Sequence, residues 1–185
     1  MIATKEAEDL AEQSRAELGL SPYAVLDPAR LLTTLEIPVL ALSSLADGDP
    51  APGLAAAVRL LMEEETSALS AATVFIGPAR LIVHNDGHAP DRIASNLSHE
   101  AAHALLLHQP RPAIDATGCR DWQDDVEKEA AYLGGCLLIP GKAARADVRN
   151  GWTDAQVADH YAVSDWMARY RLNVSGARRQ TRTSA

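Results

Sequence analysis

Residues 95–110 read SNLSHEAAHALLLHQP, and the fold turns on whether His99, Glu100 and His103 share one helix face. Each residue of an α-helix advances about 100°, so His99 and His103 stand about 40° apart and one turn along. Both imidazoles can then reach one metal ion at about 2.0–2.1 Å. Glu100, the next residue after His99, falls where its carboxylate meets a water at that metal and not the metal itself, the logic of H-E-x-x-H. The flanking apolar residues Ile93, Leu97, Ala101, Ala104, Leu105 and Leu107 keep helical spacing with no Gly or Pro among them. A helix is therefore predicted from about Asp91 to His108, ended by Gln109-Pro110. The plainer alternative is two hydrogen-bonded histidines on a polar helix face.

A catalytic zinc takes three protein ligands and keeps one position open. His108 follows His103 by five residues, about 140° around a continuing helix, and lacks a preceding glycine to turn it back. It reads as flanking the helix end, where a cation suits the dipole. The better source is a second helix, predicted from about Asp121 to Ile139 and closed by Pro140-Gly141. Glu127, Ala130, Ala131, Gly134 and Leu138 form one stripe on it at spacings of three and four. Small side chains there allow a neighbouring helix to come close. Glu127 is the favoured third ligand, and Glu129, about 200° around the helix from it, is second.

Outward from these helices the pattern is mixed. A helix is expected from Thr4 to Leu18, stopped by Gly19, and a short one from the Asp27-Pro28 cap to about Leu35. Ile37 to Leu42 reads as a strand whose Pro38 suits a sheet edge or a strand start. Residues 43–53 form a loop and 54–65 a helix; runs 72–76 and 80–84, joined through Gly77-Pro78, make a hairpin. Two or three short helices follow residue 141. The fold class is α+β, with a small antiparallel or mixed sheet and a mostly helical C-terminal half. One domain over 1–172 is expected, with N-terminal helices and strand to 69, a core over 70–140 and C-terminal helices over 141–172. Residues 173–185 read as a flexible basic tail, with Arg178, Arg179 and Arg182 following Arg169 and Arg171.

Whole-chain composition narrows the function. With 185 residues, 47% of them hydrophobic, a proper core can be buried. A net charge of −8 argues against general nucleic-acid or anionic-membrane binding. Cys119 and Cys136 form neither a C-x-x-C pair nor a disulfide framework and read as reduced thiols. There is no basic-then-apolar leader and no apolar run of about 20 residues, so a cytoplasmic, membrane-free protein is expected. VADHYAVSDWMARYRL has a faint helix-turn-helix look, with Ala162 at the turn and Met167 and Leu172 on the apolar side. Asp159 and Asp165 weigh against DNA, so direct nucleic-acid binding is not expected.

Three blocks in order resemble the ImmA/IrrE metallo-endopeptidases: LIVHND with DRIASNLSHEAAHALLLH, then EKEAAYLGGCLLIP, then YAVSDWMARYRL. The likeness covers about residues 70–172. It implies a zincin-like core with a gluzincin-like site: His99, His103 and Glu127 on Zn2+, and Glu100 as general base. Zinc is preferred over manganese or iron on ligand type. The oxyanion donor is unplaced; Tyr132 and His108 are the candidates. The resemblance further implies a zinc-dependent endopeptidase of narrow specificity that cleaves a helix-turn-helix transcriptional repressor, with strand 80–84 offering its edge to the substrate. The alternative is a non-catalytic regulatory module that keeps the fold and binds protein or, weakly, DNA. Four departures from the family pattern stand out: Ser98 before the first histidine, Gly134 in place of an alanine, His108 one residue later than the family's trailing histidine, and Ala131 where an amide or acid often supports a zinc-bound histidine. The last leaves the orientation of the histidines without an obvious partner.

Overall fold

A computed structural model describes residues 2–47, 53–63, 69–109 and 124–178. Cys119, Arg179, Arg182 and the first residues expected of the second long helix, 121–123, lie outside that set. Helix α1 (Thr4–Glu17) buries Ala7 and Ala11 completely and stops as expected, with Gly19 at φ 71°. Helix α2 (Pro28–Thr34) opens on Asp27, whose carboxylate accepts from the Ala29 N–H at 3.0 Å. Strand β1 (Val39–Ala41) is shorter than predicted. Pro38, which has no N–H, stands just before it, and its carbonyl accepts from Ile82.

Helix α3 (Leu54–Glu63) precedes the hairpin of β2 (Ala71–Ile76) and β3 (Ala79–His84), which turns at Gly77 with φ 60°. The sheet is mixed, in the order β1-β3-β2. β3 pairs antiparallel with β2, setting Thr73 opposite Ile82 and Phe75 opposite Arg80. It also pairs parallel with β1, Val39 opposite Ile82. This corrects the expectation for strand 80–84. Both of its edges are occupied, so among the described residues β2 carries the free edge beside the site.

Helix α4 (Pro90–Leu105) holds the HEAAH motif and α5 (Asp124–Leu138) holds Glu127. The first core cluster gathers Ala7, Leu31, Ile82, Leu97, Ala101 and Leu133 from α1, α2, β3, α4 and α5. The second gathers residues of α6 (Gly141–Arg149), α7 (Asp154–Tyr161) and α8 (Asp165–Val174) around Leu138 and Ile139. Helix α5 thus runs through both. Ala162, between α7 and α8, takes φ 52°, and Ser164 caps α8 by accepting from Met167. The first residues of the expected tail pack on the body: Ala177 is buried and Arg178 pairs with Asp154.

Two buried arginines tie the layers together. Arg15 of α1 donates to the Leu137 carbonyl at 2.6 Å, and Arg171 of α8 donates to the Ile139 carbonyl at 2.9 Å. Arg171 also pairs with Glu8 of α1 at 2.7 Å, and the other Glu8 oxygen accepts from the Gly141 N–H at 2.7 Å. Burial pushes the Glu8 carboxyl up, but the charge and hydrogen bond of Arg171 and the Gly141 N–H outweigh it, holding the group below the ordinary range.

Candidate metal centre

The close packing of α4 on α5 places the site. Gly134 sits against the backbone of the motif: a Cβ there would lie 3.2 Å from the His99 nitrogen and 3.2 Å from the Ser98 carbonyl oxygen. Ser98, fully buried, donates its hydroxyl to the Gly134 carbonyl at 3.0 Å. The two departures noted above therefore meet each other, the small residue admitting the neighbouring helix and the hydroxyl bonding to it. Of the predicted stripe, Ala130 and Gly134 are buried, whereas Ala131 is exposed.

Two turns before Gly134, Glu127 reaches the histidines. His99 Nε2 lies 3.1 Å from Glu127 Oε2, His103 Nε2 lies 3.6 Å from Glu127 Oε1, and the two Nε2 atoms lie 3.0 Å apart. Ligands at about 2.0–2.1 Å in a tetrahedron stand about 3.3 Å from one another, so this triangle fits a zinc-sized ion. Two imidazole nitrogens at 3.0 Å also repel each other if both present lone pairs; a shared proton or a cation between them removes that conflict. Among the described residues this trio is the group able to hold a metal. Burial holds His103 down at about 4, with the neighbouring His99 adding to it, so it is neutral and ready to ligate. Glu127 is held below its ordinary value, first by its bond to His99.

Behind the trio runs a chain of hydrogen bonds. His103 Nδ1 lies 2.8 Å from His108 Nδ1, and His108 Nε2 lies 3.3 Å from Glu129 Oε2. With Nε2 of His103 turned to a metal, its Nδ1–H donates to His108, whose Nε2–H donates to Glu129. Such a carboxylate-backed chain would support His103 as a metal ligand. His108 thus has both ring nitrogens within hydrogen-bond distance of side chains while lining the same cavity, so it does more than flank the helix. Leu107 takes φ 56° and turns the chain back without a glycine. Glu129, the second choice as ligand, supports His108 and also accepts from the Ile2 N–H.

Glu100 stands beside the trio. Its Oε2 accepts from the Thr73 hydroxyl at 2.5 Å, tying the carboxylate to β2. Burial raises its pKa, the Thr73 bond and His99 oppose the rise, and the Glu127 charge reinforces it. These groups line a cavity of about 250 Å3 with Phe75, Arg80 and His108. Tyr132 does not line it. Its hydroxyl donates to Glu8 at 3.3 Å on another side of α5, so the structure does not bring it to the site.

Residues 55–173 match the IrrE N-terminal-like domain of the Peptidase_M78 family. The chain belongs to that family. No curated protein and no solved structure matches it. Within this IrrE-like peptidase domain the histidines, Glu100 and Glu127 were readable from helix periodicity. Thr73, Phe75 and Arg80 were not, because only the hairpin register brings them over α4.

Proposed function

We propose that this IrrE-like domain is a zinc-dependent endopeptidase of narrow specificity on a zincin-like core, and that its substrate is a transcriptional repressor. The observation that carries the reading is the convergence of His99 Nε2, His103 Nε2 and the Glu127 carboxylate beside the half-buried Glu100. Zinc held there supplies Lewis acidity to water and to the scissile carbonyl. His99, His103 and Glu127 would hold the ion, and Glu129 through His108 would fix the His103 ring. Glu100 takes the proton from the attacking water and returns it to the leaving amine. Its raised pKa suits both halves of that exchange. Thr73 keeps one Glu100 oxygen engaged, leaving the other for the proton. The free edge of β2 accepts an extended substrate segment by strand addition.

The test is to co-express the chain with a repressor encoded beside it. Wild type is expected to carry equimolar zinc and cut, while Glu100→Gln keeps zinc and does not. Equal cleavage by the two would remove Glu100 from the mechanism, and absence of bound zinc would remove the metal. A non-catalytic, weakly DNA-binding module is the second reading, carried by the α7–Ala162–α8 arrangement. Salt-sensitive duplex binding by the full chain, without cleavage, would favour it.

A further inference from the structure

Arg80 lines two cavities at once. One is the metal pocket. The other is an open groove of about 670 Å3 with walls that include Ile37, Pro38, Ile76, Leu81, Leu105 and Leu107. Ile76 is 64% and Leu107 72% exposed, large apolar side chains left in water at the rim. The Arg80 guanidinium lies 5.1 Å from the Phe75 ring centroid, and no carboxylate or hydrogen-bond acceptor among the described residues engages it. The ring steadies it by cation–π attraction while its N–H donors stay available. Glu36 is the other charged wall residue. It also borders an outer cleft with Ala29, Thr33 and Val39, which shares no residue with the metal pocket. From the metal outward the order is therefore cation, apolar groove, carboxylate.

We propose that this groove selects the substrate. It takes an extended polypeptide segment with an acidic side chain next to the scissile bond, medium-sized apolar side chains beyond it and a basic one at the outer end. The inference rests on the peptidase reading of the metal pocket and adds the class of sequence cut. Three features support it. The groove continues from the metal pocket through Arg80. Its volume falls in the range of about 300–1,000 Å3 that accommodates several groups of a ligand. Strand β2, the free edge, ends at Ile76, itself a groove wall, so a segment paired along β2 is delivered there. An arginine that no acceptor among the described residues engages, set beside apolar walls, rewards an acidic partner and penalises a basic one, which gives discrimination more than bulk affinity.

The experiment loads the Glu100→Gln full-length protein with zinc and selects from a displayed library of random short peptides, so that binding is read without cleavage. Expected is enrichment of Asp or Glu followed by Leu, Ile or Val. Adding Arg80→Glu should invert the charge preference at the first of these positions. Arg80→Gln should erase it, and Glu36→Lys should change only the outer position. A selected acidic peptide should bind the Arg80→Glu protein about tenfold more weakly, or worse. Zinc content and melting temperature report that each variant is folded. The same peptides selected by parent, Arg80→Glu and Arg80→Gln would overturn the groove and leave the peptidase reading standing. No enrichment by the zinc-loaded parent would overturn both.

Discussion

At Leu107 the backbone takes φ 56°, a conformation that costs an ordinary L residue about 1–2 kcal/mol. What the strain brings is His108, folded back until its ring meets His103 at 2.8 Å. His108→Ala should therefore weaken zinc binding by about 10-fold or more, the usual effect of removing a group that orients a metal ligand. Competition against a chelator measures it, and an unchanged affinity would mean that His103 needs no such support. The sequence allowed a different conclusion about His108 because a turn of this kind is ordinarily marked by Gly or Asn. Leu107 carries no such mark. The same limit hid Arg80: an arginine in a strand says nothing of the cavity it borders until its register against Phe75 is known.

Between elements, the decisive contact is α4 on α5. Gly134→Ala gains about 1 kcal/mol of helix propensity and loses about 1–3 kcal/mol to overpacking, so stability should hold or fall by up to about 2 kcal/mol. Metal affinity should fall, because the added methyl meets only backbone atoms of Ser98 and His99, and α5 must retreat with Glu127. Parallel melting and zinc titrations separate the two effects. Full zinc affinity in this variant would show that the helix spacing does not set the site. At this scale much was legible. The helices of HEAAH and Glu127 follow from apolar periodicity, and the hairpin follows from its β-rich runs around Gly77-Pro78. The parallel pairing of β1 with β3 was not, since a three-residue strand carries too little pattern to name its partner. That pairing moved the free edge from β3 to β2.

Across the described molecule, the Glu8–Arg171 pair joins α1 to α8. Glu8→Gln leaves the Arg171 charge buried without its partner, and a cost of about 3–5 kcal/mol is expected by urea denaturation at neutral pH. The pH dependence has a fixed sign. Because folding lowers the Glu8 pKa, its contribution is present above the unfolded carboxyl value and is lost as pH falls through the folded one. Wild type should therefore lose stability on acidification more steeply than Glu8→Gln, and parallel curves would argue against the pair. That the chain could bury a proper core was within reach of composition and length. The pairing itself was not, because 163 residues separate its members. That separation has a kinetic consequence. During synthesis α1 emerges well before α8 and cannot secure its half-buried carboxylate until α8 has also left the ribosome. Closure of the core is thus a late, long-range event, of the kind that slows folding and lengthens the time for which apolar helix faces stay exposed.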